Sequence, residues 1–241
     1  MKLDPPTKVS KDTMEIEVSE LEPILQGYPM DLPKFPEAYI TLKDGQKLYV
    51  REATEADVPL MLEYMEKIMK VDHDFYDIVG VRVYGEILGW YRKRLKDPFQ
   101  LIGLIDGVWA GFANGRFMSQ DIGISLHTLT FIRGARLGWA MYYVKTYYAM
   151  EMVKAGEWWT TFESYNGWRM GGLQLAQPSY PWPKVQHELG GARVYYVDQE
   201  YWNLAVKKYA AYMVGGELNF NVPDEIKKAN EVFKIPDKVS V

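Results

Sequence analysis

A chain of 241 residues, 48% of them apolar, is long enough for one large domain with appendages. Its net charge of −4 and pI near 5.5 exclude a general electrostatic attraction to nucleic acid. The sequence has no cysteine, which excludes disulfides, thiolate metal sites and a cysteine nucleophile. Met1–Pro6 carries no apolar signal region and no run reaches membrane-spanning length, so the expectation is a cytoplasmic protein that does not cross a membrane. The aromatic share of 15% suggests packed aromatic surfaces, as core, pocket wall or subunit interface, which leaves a homodimer open.

In chain order, residues 1–38 read as an extended arm broken by Pro5, Pro6, Pro23, Pro29, Pro33 and Pro36, with a short strand at Met14–Val18. Ala38–Leu42 and Lys47–Arg51 flank an Asp-Gly turn at Asp44-Gly45, a hairpin signal. Thr54 or Asp57 caps a helix to about Lys70, with Pro59 in its first turn and Leu60, Met61, Tyr64, Met65 and Ile68 as one stripe. Asp72–Asp77 is an acidic, turn-forming run and not a metal cluster, because no further ligand follows at suitable spacing. A second helix runs from Val81 to about Leu95. A second Asp-Gly hairpin joins Gln100–Ile105 to Val108–Ala113.

The stretch from Ile122 to Ser164 organises the rest. Ile122–Phe131 is a buried strand, and Arg133-Gly-Ala-Arg-Leu-Gly138 is a turn with two glycines and two arginines. A helix from Leu137 to about Lys154 follows, apolar at Leu137, Ala140, Met141, Val144, Tyr148 and Met152, with Gly156 as its stop. Glu157–Ser164 is the next strand. Free N–H groups and the positive end of a helix dipole at such a turn suit a phosphate. Beyond it, Asn166–Gln177 and Lys184–Leu189 read as helices around the proline-rich loop Pro178–Pro183. Ala192–Val197 reads as a strand, Tyr201–Met213 as a helix, and Asp224–Phe233 as a last helix in a polar tail.

Arg133–Gly138 resembles the acyl-CoA pyrophosphate loop of the GNAT acyltransferases, Arg/Gln-x-x-Gly-x-Gly/Ala, with Arg136 where that family has glycine. Leu48–Val58 looks like the opening of such a domain, and His187–Tyr195 resembles its C-terminal helix-to-strand passage; the resemblance spans roughly residues 39–202. It implies an α+β fold: a central mixed, mostly antiparallel sheet with a splayed parallel strand pair, flanked by helices. The organisation it implies is an arm at 1–38, a GNAT-like domain at 39–213 and a tail at 214–241.

The resemblance further implies an acyltransferase that moves an acetyl or other acyl group from acyl-CoA to an amine of a small molecule or amino acid. Acyl-CoA would be held by Leu129, Thr130, Phe131, Arg133, Gly134, Ala135, Arg136, Leu137, Gly138 and Asn166. Arg136 either grips phosphate or blocks the approach that glycine allows. An acceptor amine, with a pKa of about 10, needs a base, and His127 and Glu163 are the candidates. The family's tyrosine acid falls at Gln186, which leaves Tyr180 and Tyr165 as candidate substitutes, each of which also reads as a packing residue. The absent tyrosine also admits a catalytically degenerate module that binds acyl-CoA or a protein partner. The aromatic content admits a third reading, an N-acyl amino acid synthase-like enzyme with a long-chain donor.

Overall fold

A computed structural model describes residues 26–96, 98–162, 167, 177–178, 185–187, 190–192 and 194–240. Among them, β1 (Ala38–Thr41) and β2 (Lys47–Glu52) form the first hairpin, and α1 (Val58–Ile68) and α2 (Tyr76–Tyr91) follow. β3 (Phe99–Ile105), β4 (Val108–Phe117) and β5 (Ile122–Thr130) are a meander. α3 (Leu137–Tyr147) leads to β6 (Glu157–Thr161). Four short strands come next: β7 (Gln177–Pro178), β8 (Val185–His187), β9 (Gly190–Ala192) and β10 (Val194–Asp198). α4 (Lys207–Val214) and α5 (Asp224–Ala229) complete the chain.

One eight-stranded sheet has the order β1-β2-β3-β4-β5-β6-β10-β7. Its neighbours are antiparallel except β5 and β6. The two hydrophobic clusters sit on its two faces, as alternation along each strand requires. Leu101 of β3 packs with Met141 and Val144 of α3, whereas Ile102 packs with Met61, Met65 and Val83 of α1 and α2. α3 comes close to the sheet because Gly103 and Gly111 lie beneath it. A β-carbon at either position would sit 2.7 Å from Met141.

Asp106 and Gly107 form the second hairpin turn with φ of +51° and +79°, the mirror-image turn that Asp-Gly favours. Asp57 begins α1, but its carboxylate turns back to Arg51 (2.7 Å) and to the Thr54 N–H (2.7 Å), so it braces the β2–α1 corner and caps no helical N–H. α2 starts at Tyr76, five residues before the expected Val81. α3 continues through a wide π-helical turn, Tyr148–Val153, and ends at Lys154 with φ of +63°. The stop is therefore Lys154 and not Gly156, with the Ala155 N–H reaching back to Ala149 O (3.0 Å). Glu151 in that turn accepts from Trp202 Nε1 (2.9 Å) and Lys207 Nζ (2.7 Å), tying it to the approach to α4.

The sequence differs from the structure most clearly at Lys184–Leu189. Val185–His187 is a strand, paired antiparallel with Gly190–Ala192. The stretch between Pro183 and Gly190 is too short to nucleate a helix, and Val185–His187 pairs its backbone in a ladder instead. Gln186, expected on a helix, thus lies on β8. The last helix ends at Ala229, after which Lys234 exchanges hydrogen bonds with Gly107 O (2.9 Å) and the Trp109 N–H (2.8 Å), docking this segment on the β3–β4 hairpin. The readings at Met14–Val18 and at 168–176 lie outside the described residues.

Candidate functional site

The sheet opens between β5 and β6. Their parallel pairing runs from Ile122↔Glu157 to Ser125↔Thr160 and stops, although β5 continues to Thr130. At the paired end, Trp158 fills the hollow over Gly115 and Gly123, where added β-carbons would fall 2.5 and 2.6 Å from its ring. Among the described residues no comparable filler stands at the other end, and a cleft of about 570 Å³ occupies the gap. Its walls are Asp74–Tyr76, Arg82 and Glu86 from α2 and its lead-in, Ile124–Thr130 of β5, Arg133, and Thr160–Phe162. Gly138, Tyr142 and Lys145 enter from α3.

The β5 wall is irregular where the strands part. A register shift beside Asn114 leaves Leu126 and His127 opposite a single β4 residue. The Asn114 side chain repairs the ladder by accepting from the His127 N–H (3.0 Å), and Lys145 Nζ donates to the His127 carbonyl (2.8 Å). Further along, the Phe131 N–H donates to Ala110 O (2.8 Å), toward β4. Alternation then turns the backbone groups of Thr130 and Thr128 toward the cleft, where no strand among the described residues covers them.

The expected site residues divide accordingly. His127, Leu129, Thr130, Arg133 and Gly138 line the cleft. Phe131 does not: its N–H is paired and its ring is buried against Trp109 (4.5 Å) and Tyr64 (5.0 Å). Leu137 is a core residue. Gly134, Ala135 and Arg136 form the turn before α3, with φ of +93°, +48° and +60°. Three successive left-handed residues are strained wherever a β-carbon is present, and the first-turn N–H groups after them have no intrahelical acceptor. Arg136 reaches to Met213 O (3.1 Å), away from the cleft lining. Arg133 lies over the Tyr76 ring (5.4 Å) at the rim. Glu163, Asn166, Tyr165 and Tyr180 lie outside the described residues.

Burial sets the electrostatics at the floor of the cleft. Burial, then the positive charges of Lys145 and Arg82, push His127 down to about 3, so its imidazole is neutral at physiological pH. It is therefore a weak proton acceptor there. Lys145 is 1% exposed, and burial lowers it well below the ordinary lysine value. Burial likewise raises Tyr142, whose hydroxyl is approached by Thr146 and Thr160 without good hydrogen-bond geometry. Sequence reasoning passed over Lys145 and Tyr142. The signal was present: Lys145 follows Met141 by four residues, which puts a charge on the apolar stripe of α3.

No family model and no curated protein sequence matches the chain. Its architecture does match solved structures. An uncharacterized protein of Bacillus halodurans superposes with a TM-score of 0.56 at 12% identity, over 75% of this chain and 100% of that one. RimJ of Mycobacterium smegmatis, solved in complex with CoA-disulfide, gives 0.54 at 8% identity, over 78% and 99%. The antiparallel sheet with its single parallel pair, opened into a cleft, is the topology the sequence resemblance implies. The chain has the GNAT fold. Within the GNAT fold the opening between β5 and β6 leads to the N-terminus of α3, so Arg133, Gly138 and the uncovered edge of β5 share one continuous surface.

Proposed function

We propose that the chain is an acyl-CoA-dependent N-acyltransferase, moving an acetyl or other acyl group to an amine of a small molecule or amino acid. The observation that carries this reading is the splay itself. Pairing ends at Ser125↔Thr160, an uncovered strand edge and a cleft follow, and a cationic rim meets a helix N-terminus at its mouth. The CoA-disulfide complex of RimJ supports the same ligand class.

The residues present fit that ligand. The backbone of Thr128 and Thr130 offers donors and acceptors to the amides of the pantetheine arm. Arg133 and the first-turn N–H groups of α3, Gly138 included, offer positive charge to the diphosphate. Acyl-CoA supplies an activated thioester carbonyl. The side chains orient it, exclude water and handle a proton. Glu163 keeps the role of base candidate in this reading, Tyr180 that of acid and Asn166 that of a cofactor contact. The acceptor is small, the setting cytoplasmic, and a homodimer is compatible with the aromatic surface. Among the described residues no helix is long and apolar enough to cross a membrane.

The test is thiol release from acetyl-CoA in the presence of a panel of small amines. The chain contains no cysteine, so every thiol detected comes from the donor. Amine-dependent release supports transfer. Binding of acetyl-CoA without release from any amine supports the degenerate module instead.

A further inference from the structure

Lys145 stands on α3 at the floor of the cleft, one turn beyond Tyr142 and two beyond Gly138. It is 1% exposed, and among the described residues no carboxylate forms an ion pair with it. Its only hydrogen bond among them runs from Nζ to the His127 carbonyl (2.8 Å), at the point where β5 and β6 part. Nζ also lies 5.8 Å from the centre of the Tyr142 ring, but an ammonium buried without a counter-ion disfavours its charged form, so such lysines shed their proton and become bases. The neighbouring Tyr142 hydroxyl is a second buried polar group without a well-formed partner. Buried polar groups left unsatisfied at the wall of a cavity call for a functional account.

We propose that Lys145 is a catalytic residue that carries a proton from the acceptor nitrogen to the leaving sulfur. This inference rests on the acyl-transfer reading. The acceptor amine arrives having lost one proton to water. As its nitrogen bonds to the acyl carbon and the carbon–sulfur bond breaks, the surplus proton on nitrogen passes to Lys145 Nζ. The ammonium so formed delivers that proton to the departing thiolate and returns to the amine. One N–H proton becomes one S–H proton, and no other reactant is consumed. The bond to the His127 carbonyl persists in both states, because an amine and an ammonium each donate, and it holds Nζ in place throughout.

Among the described residues, the charged and titratable groups facing the cleft besides Lys145 are Asp74, Tyr76, Arg82 and Glu86 from the α2 side, His127 on β5, Arg133 after it, and Tyr142 on α3. The described lining of β6, Thr160–Phe162, carries no charge. Burial is what lowers Lys145, while the cations and the anions on this list act on it in opposite directions.

The experiment titrates ¹⁵N-lysine-labelled protein by NMR and assigns Lys145 by its loss in Lys145→Arg. The expected result is one Nζ that titrates well below the exposed lysines. Titration together with them overturns the proposal. Calorimetry with acetyl-CoA on the wild type, Lys145→Arg and Lys145→Met comes next, then thiol release with ethanolamine and glycine as probe amines. Affinity is expected to change less than about threefold, while turnover falls about 100-fold or more in both variants. Thiol release that does not depend on Lys145 overturns the role, particularly if Glu163→Gln abolishes it. If neither variant folds, a wild type in which no Nζ titrates below the exposed lysines still overturns the proposal. Failure of acetyl-CoA to bind at all overturns the acyl-transfer reading, and the calorimeter shows this before any rate is measured.

Discussion

The indole of Trp158 on β6 covers Gly123 on β5, its register partner, so closely that a β-carbon on Gly123 would fall 2.6 Å from the ring. This contact locks the closed end of the strand pair and so sets where the opening begins. Gly123→Ala is expected to cost about 1–3 kcal/mol through overpacking, because Phe117 (2.9 Å) blocks escape on the other side. Trp158→Ala should cost about 3–5 kcal/mol. Urea unfolding midpoints check both, and an unchanged midpoint for Gly123→Ala contradicts the packing described.

His127 makes the protein acid-sensitive. Its folded value, about 3, lies below the unfolded value near 6.5. The unfolded chain therefore binds more protons between those limits, and stability falls as pH drops through that window. The loss reaches on the order of 4 kcal/mol by about pH 3. His127→Asn should flatten this limb relative to the wild type in unfolding measurements between about pH 3 and 6.5. Parallel curves for the two proteins would show that His127 is not buried as described.

Lys145 acts with the same sign at higher pH. Burial lowers its folded value below that of the unfolded chain, so stability rises with pH until the unfolded lysine loses its proton at about 10.4. Lys145→Met removes this slope. It also leaves the His127 carbonyl unpaired, at about 1–3 kcal/mol. Thermal unfolding from neutral pH upward checks the slope independently of any ligand.

The first four strands, the β5–α3 connection and the helix stripes were legible because local chemistry decides them. Asp106-Gly107 demands a mirror-image turn, and Met61, Tyr64, Met65 and Ile68 recur at helical spacing. Val185–His187 was not legible, since its strand exists only through pairing with Gly190–Ala192. In the site, Arg133 and Gly138 could be read from a contiguous motif. Lys145 and Tyr142 could not be so read. Their importance depends on a gap between β5 and β6 that no single stretch of sequence encodes, and a lysine among tyrosines reads at first as a helix surface.

Arg136 bonds to the neighbouring helix end. With φ of +60° it occupies the conformation that glycine adopts freely, and its guanidinium is engaged with Met213. Arg136→Gly is expected to stabilise the fold by about 0.5–1 kcal/mol through relief of backbone strain, net of its exposed hydrogen bonds to Met213 O and Sδ. Acetyl-CoA affinity should hold or rise. A tenfold loss of affinity, about 1.4 kcal/mol, would show that the side chain swings over to grip phosphate.

The most direct measurement is calorimetric titration of the wild type and of Gly138→Asp with acetyl-CoA, free CoA and a longer acyl-CoA. The account expects micromolar binding to the wild type, and loss of binding in Gly138→Asp with an unchanged unfolding midpoint. The added carboxylate would face the diphosphate at the N-terminus of α3. No binding of any of the three to the wild type, or equal binding to both proteins, would contradict the assignment of the cleft to an acyl-CoA.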